Sequence, residues 1–237
     1  MCLVMVLAVS GMLGGCLVPA GGLLTAIQPV SDKPHQGNVY IMRGLLGCFS
    51  RGMDGLQEEL DASGVRAVIY QHTQNDDVAR AIIERYRQAP REPLVLVGHS
   101  LGADDTVAIA QQVRAAGVKV DLIVAVDPVN ADPVPGNVSR AVGFYRSVPV
   151  VGLIPVLRGI PLKPEPGTTG QVTNYNLNDH PELRETLTNH FNIDANKKVR
   201  QAIIREVMEV CPVRSGYAQK LRPPPGEHAS AAMKLAP

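Results

Sequence analysis

Residues 94–104 read LVLVGHSLGAD: an apolar run that stops at Ser100, with a glycine two residues away on either side, at Gly98 and Gly102. A serine in that setting is a candidate nucleophile, and the chemistry open to it is acyl transfer through a covalent ester. A serine hydroxyl reacts poorly at neutral pH. It needs a base, most often histidine, and the base needs an orienting carboxylate. Candidate bases are His72, His99, His180, His190 and His228; candidate carboxylates beyond the serine are Asp127, Asp132 and Asp179. No nucleotide-binding loop and no clustered Cys/His spacing offers a competing chemistry, and neither a metal nor a cofactor is implied.

The elements that must hold these residues follow from periodicity. NVYIMRG (38–44), VRAVIY (65–70), PLVLVG (93–98) and VDLIVAV (120–126) are short apolar runs that predict strands, with further strands expected at RAVGFYRS and QVTNYNL. Between them, DGLQEELDAS carries Leu56 and Leu60 at helical spacing. DDVARAIIERYRQ carries Val78, Ile82, Ile83 and Tyr86 on one face, with Asp76 or Asp77 available as the cap. LGADDTVAIAQQVRAAG predicts a helix closed by Gly117, and ANKKVRQAIIREVMEV a last helix on Val199, Ile203 and Val207. Strands alternating with helices predict an α/β protein with a mostly parallel sheet covered on both faces. Ser100 then stands where a strand ends and a helix begins. A turn that tight favours residues without a side chain at Gly98 and Gly102.

In this strand–turn–helix context Gly98-His99-Ser100-Leu101-Gly102 matches G-x-S-x-G, and residues 38 to about 210 resemble the α/β-hydrolase superfamily. The resemblance implies a three-layer α/β/α sandwich in a compact version lacking the first strands. It also implies that acid and base follow the nucleophile in chain order. The acid is then Asp127, directly after VDLIVAV, with Asp132 as the nearby alternative. The base is His190, beyond the last strand and before the final helix. His180 competes, and reads better as a turn residue entering a short helix at Pro181. His99 precedes the acid, His72 reads as a solvated loop histidine on the same edge, and His228 lies in the tail.

The resemblance assigns one oxyanion-hole amide to Leu101 and the other to Leu45 or Leu46, after Arg43-Gly44. It implies a serine hydrolase cleaving a carboxylic ester or thioester of a small acyl or lipid-like substrate through a Ser-His-Asp triad. An acyltransferase and a non-catalytic binding module on the same scaffold are the alternatives. Residues 148–170, apolar and rich in Pro and Gly, are either a lid or acyl-pocket insertion or a loop packed on the core.

The chain has 237 residues, 45% hydrophobic and 19% charged, with net charge +1 and no Trp, which suits one globular domain and offers no basic, aromatic surface for nucleic acid. Residues 1–16, MCLVMVLAVSGMLGGC, are too short an apolar run to span a bilayer and read as a signal peptide. Leu13-Gly14-Gly15-Cys16 resembles a bacterial lipobox, so the expectation is export to the cell envelope with Cys16 lipidated as a membrane anchor. Residues 17–37 read as a tether, 38–211 as the domain, and 212–237 as a flexible tail. Export would leave Cys48 and Cys211 in an oxidising compartment. In the α/β-hydrolase arrangement the first and last helices share a face, so these two could form a disulfide; two separate buried thiols are the alternative.

Overall fold

Side-chain alternation decides what each strand demands of its surroundings. In β1 (Asn38–Met42), Val39 and Ile41 are buried on one face of the sheet and Tyr40 and Met42 on the other. In β3 (Leu94–His99), Val95 and Val97 join the first face and Leu94 and Leu96 the second. Strands apolar on both sides must be covered on both sides. Here α1 (Gly52–Ala62) and α4 (Lys197–Val210) cover the first face through Met53, Leu56 and Leu60 and through Val199, Ile203 and Val207. The second face is covered by α2 (Asn75–Gln88) and α3 (Leu101–Arg114), through Val78 and Ile82 and through Ala103, Val107 and Ala110. The result is the expected three-layer α/β/α sandwich.

These elements belong to a computed structural model that describes residues 32–45, 47, 50–88, 91–147 and 159–220. With β2 (Arg66–Tyr70), β4 (Val120–Val126), β5 (Val138–Tyr145) and β6 (Gln171–Asn176) the sheet has six strands, all parallel, in the order β2-β1-β3-β4-β5-β6. The chain moves from β1 outward to β2, returns past β1 to β3, then proceeds to the other edge. The order therefore reverses between β1 and β3, and the loops beyond those carboxyl ends diverge to form a crevice. Register aligns the ends: Met42 pairs with Gly98, His99 with Val126, and Val126 with Phe144. The loops after β1, β3 and β4 thus open at one edge. Asp76 and Asp77, expected as caps, fall inside the first turn of α2, because the 3-10 turn His72–Gln74 runs straight into that helix.

One expectation changes. Residues 212–237 are expected to be a loose tail, yet the stretch 213–217 is docked, while 221–237 lie outside the described residues. Val213 bridges antiparallel to His35, the Arg214 amide donates to Pro34 at 2.8 Å, and the Arg214 guanidinium pairs with Glu92 at 2.7 Å. A short helix, α5 (Ser215–Lys220), follows. The tether and the tail hold each other over this stretch.

Another expectation concerns the cysteines. Cys211 is a free, buried thiol, which burial pushes up to about 12. It closes α4 at the amino edge of the sheet, against Gly37 just before β1. Cys48 lies outside the described residues, but its neighbours Gly47 and Ser50 lie in the loop beyond the opposite end of β1. The Cys48–Cys211 pairing thus falls on a residue outside the described ones; α1 starts at the edge where α4 does and ends where α4 ends, so Cys211 lies at the edge opposite the start of α1. Of the remaining assignments, Cys16, Leu46, His228 and residues 148–158 also lie outside the described residues. Among the described residues no helix is long and apolar enough to cross a membrane.

Candidate active site

Ser100 has φ 58 and ψ −126, a backbone conformation that side-chain-bearing residues rarely adopt. The glycines around it explain how the turn closes. A Cβ on Gly98 would land on the carbonyl of Gly102, and a Cβ on Gly102 would land on the carbonyls of Met42 and Arg43. The first glycine lets α3 start directly over β3; the second lets α3 lie against the end of β1. The Ser100 amide donates to the Val126 carbonyl at 2.9 Å, which ties the elbow to β4.

Asp127 follows β4 at once, with φ 50 and only 1% of its surface exposed. Its amide donates to Phe144 at 2.7 Å, and its Oδ1 accepts the Arg146 amide at 2.9 Å. Its Oδ2 faces Nδ1 of His190 at 2.6 Å, and Nε2 of His190 faces Oγ of Ser100 at 2.9 Å. Nδ1 opposite a carboxylate carries the proton, so Nε2 is free to accept from the serine. The three residues expected to form the triad are therefore in one hydrogen-bonded line.

The His190 loop is fixed from behind by Asn196. Its Oδ1 caps α4 by accepting the amides of Lys198 and Val199, while its Nδ2 donates to the Leu183 carbonyl at 2.9 Å. Phe191 lies edge-on to the His190 ring, centroids 5.7 Å apart.

The competitors lie elsewhere. His180 pairs with Glu182 at 2.8 Å, next to Tyr175, and Asp132 and Asp179 are exposed. His72 is not a solvated loop histidine: its Nδ1 meets the buried Asp105 carboxylate at 2.6 Å, and Asn75 donates to the same carboxylate. Leu101 opens α3, as the elbow requires. Leu45 follows Gly44, whose Cα lies so close to the nucleophile that an added Cβ would stand 3.0 Å from that of Ser100. The Gly44 amide is itself taken by Ser50 Oγ at 2.9 Å.

Four supporting residues carried no sequence signal. Ser50 accepts the Gly44 amide and meets Nδ1 of His99 at 2.8 Å. Gly159 leaves room for Asp127, since a Cβ there would land on Oδ1. Asp104, in the first turn of α3, accepts the amides of Val129 and Asn130 at 3.0 Å and so holds the loop after Asp127; burial pushes its carboxyl up to about 6. Asp194, buried in the His190 loop, sits at the start of α1 and is also raised to about 6, by burial. The described part of the 148–170 segment packs on the core, with Val134 bonded to Lys163, Ile160 to Pro128, and Asn174 to both backbone groups of buried Leu162.

No family model and no curated protein matches the chain. Among solved structures, the RedJ thioesterase of the prodiginine pathway in Streptomyces coelicolor is similar over 82% of this chain and 94% of its own, at 14% identity and a TM-score of 0.46. A cutinase-like protein from Cryptococcus sp. is similar over 73% of this chain and 94% of its own, at 16% identity and a TM-score of 0.45. The NocB thioesterase domain of the nocardicin cluster covers 72% of this chain at 16% identity and a TM-score of 0.46. The fold is decided by the chain's own strand order. A parallel sheet ordered β2-β1-β3-β4-β5-β6, with a serine elbow after β3, an acid after β4 and a histidine after β6, has the α/β-hydrolase architecture.

Proposed function

We propose that the protein is a serine hydrolase acting on carboxylic esters or thioesters through an acyl-enzyme. The observation that carries this reading is the unbroken line Ser100 Oγ–His190 Nε2 at 2.9 Å and His190 Nδ1–Asp127 Oδ2 at 2.6 Å, set on a strained elbow. In this reading Ser100 Oγ attacks the acyl carbon while His190 Nε2 takes its proton, and Asp127 stabilises the imidazolium without itself being protonated. The oxyanion forms beside the amide of Leu101, at the N-terminus of α3, and an amide of the loop after Gly44, with Leu45 as the candidate. His190 then protonates the departing alcohol or thiol, and water repeats the cycle in reverse to free the acid. The exposed apolar side chains Leu45, Leu187 and Phe191 belong to the two loops that carry these groups, which suits an acyl substituent.

A fluorophosphonate probe tests the reading. It should label the wild type and not Ser100→Ala; a folded wild type that stays unlabelled refutes it. For placement, we propose export and lipidation at Cys16, supported by the apolar run and the lipobox-like Leu13-Gly14-Gly15-Cys16. Mass spectrometry of membrane-extracted protein should find a diacylglyceryl-modified Cys16 at the mature N-terminus. A chain that keeps Met1 would rule this out.

A further inference from the structure

His99 stands immediately before the nucleophile, on the face of the sheet that α1 and α4 cover, and is 1% exposed. Both ring nitrogens are engaged. Nε2 lies 2.9 Å from the carbonyl oxygen of His190, and a carbonyl only accepts, so that nitrogen carries the proton. Nδ1 is then an acceptor, and it receives the hydroxyl of Ser50 at 2.8 Å. Ser50 Oγ in turn accepts the Gly44 amide at 2.9 Å. Three hydrogen bonds therefore run from the loop after β1, through one buried imidazole, to the backbone of the residue that supplies the base.

We infer that His99 is a positioning residue, a strut that sets the His190 backbone and the Gly44–Leu45 loop at a fixed separation on either side of Ser100. The inference rests on the serine-hydrolase reading for its catalytic meaning. The strut has to be a neutral imidazole. One ring nitrogen must donate and the opposite one accept, and a protonated ring would offer two donors. It would also set a second cation beside His190, whose ring centroid is 5.4 Å away and which becomes cationic during the reaction. Burial first, and then the neighbouring His190, push the His99 imidazole down to about 4, outweighing the hydrogen bond to the His190 carbonyl and the Asp127 carboxylate, so the ring is neutral across the working range. A fixed geometry matters here because the acyl carbon must meet Oγ, the base and the oxyanion donors at once. Displacements of about 1 Å can lower a rate by roughly a hundredfold.

The test uses p-nitrophenyl butyrate and the full chain. His99→Phe removes both arms, and should lower kcat by about tenfold to a hundredfold with KM changed by less than about threefold. Ser50→Ala cuts only the arm to Gly44 and should show part of that loss. Ser50→Ala combined with His99→Phe should lose no more than His99→Phe alone, because both act on one chain of bonds. His99→Gln, which can still donate to the His190 carbonyl, and His99→Asn, which can still accept from Ser50, keep the test open if the Phe variant does not fold; each should recover part of kcat.

A His99→Phe enzyme within about twofold of the wild-type kcat, or Ser50 and His99 losses that multiply independently, overturns the strut. Imidazole ¹⁵N NMR of the wild type decides its chemistry without any activity. His99 should show a protonated Nε2 and no titration between about pH 5 and 8. A protonated Nδ1, or a midpoint near 6 to 7, refutes the inference. Absent hydrolysis by the wild type would instead count against the serine-hydrolase reading.

Discussion

Asp194, four residues beyond His190, is buried against the backbone of Gly52 at the first turn of α1. The amides of Gly52 and Met53 favour its charged form, but burial outweighs them and raises its carboxyl from 3.8 to about 6. The folded protein therefore holds this proton more tightly than the unfolded chain does. The resulting stabilisation is full below about pH 4 and is lost as pH rises through about 6. A shift of about two units corresponds to roughly 3 kcal/mol.

Asp194→Asn removes that titration. Relative to the variant, the wild type should lose about 3 kcal/mol of stability between about pH 4 and 7, measured by urea denaturation at both values. A gap between the two proteins that stays constant with pH would show that Asp194 titrates normally.

Ser100→Ala and His190→Ala should each lower ester hydrolysis by roughly a thousandfold or more, and Asp127→Asn should do comparable damage through the imidazole tautomer. His180→Ala should retain most activity, since that ring is bonded to Glu182. Steady-state kinetics with a short p-nitrophenyl ester distinguishes the two histidines. An essential His180 with a dispensable His190 would displace the proposed base.

Gly159→Ala places a methyl group on the Asp127 carboxylate. The carboxylate must swing away from His190 or residue 159 must retreat, at about 1–3 kcal/mol in stability. Activity should fall by at least about tenfold, as a misplaced orienting group implies. A fully active Gly159→Ala enzyme would mean the segment yields without moving Asp127.

Gly102→Ala drives its methyl into the carbonyls of Met42 and Arg43, which are backbone and cannot turn aside. Activity and thermal stability should both drop. Gly117→Ala is the control: φ is +73 there, so an alanine is strained by about 1 kcal/mol, but nothing stands within 4 Å and hydrolysis should be unchanged. If both variants behave alike, the crowding at the elbow is not what demands glycine.

The elements, their order and the three residues on the hydrogen-bonded line were legible because each is written locally. Strand and helix periods show in the apolar spacing, and the elbow demands glycines at Gly98 and Gly102. What escaped is written across the fold. Ser50, Asp194 and Gly159 are ordinary residue types in ordinary local settings, and their roles exist only once β1, β4 and the His190 loop are side by side. His72 looked solvated because its partner, Asp105, is a turn along another element. The cysteine pairing rested on a shared face alone. Sharing a face said nothing of direction, and α4 carries Cys211 to the edge opposite the one where α1 begins.

The docking of residues 32–36 against 212–217 also brings the two ends of the described chain to one side of the sheet. Asp32, Pro34 and His35 meet Tyr217, Arg214 and Val213 at the amino edge of the sheet, whereas Ser100 opens at the carboxyl edge. A five-residue strand of about 16 Å separates the two. Strand direction thus sets a floor and a roof. The described chain therefore enters on the floor, at the edge of the sheet away from the serine.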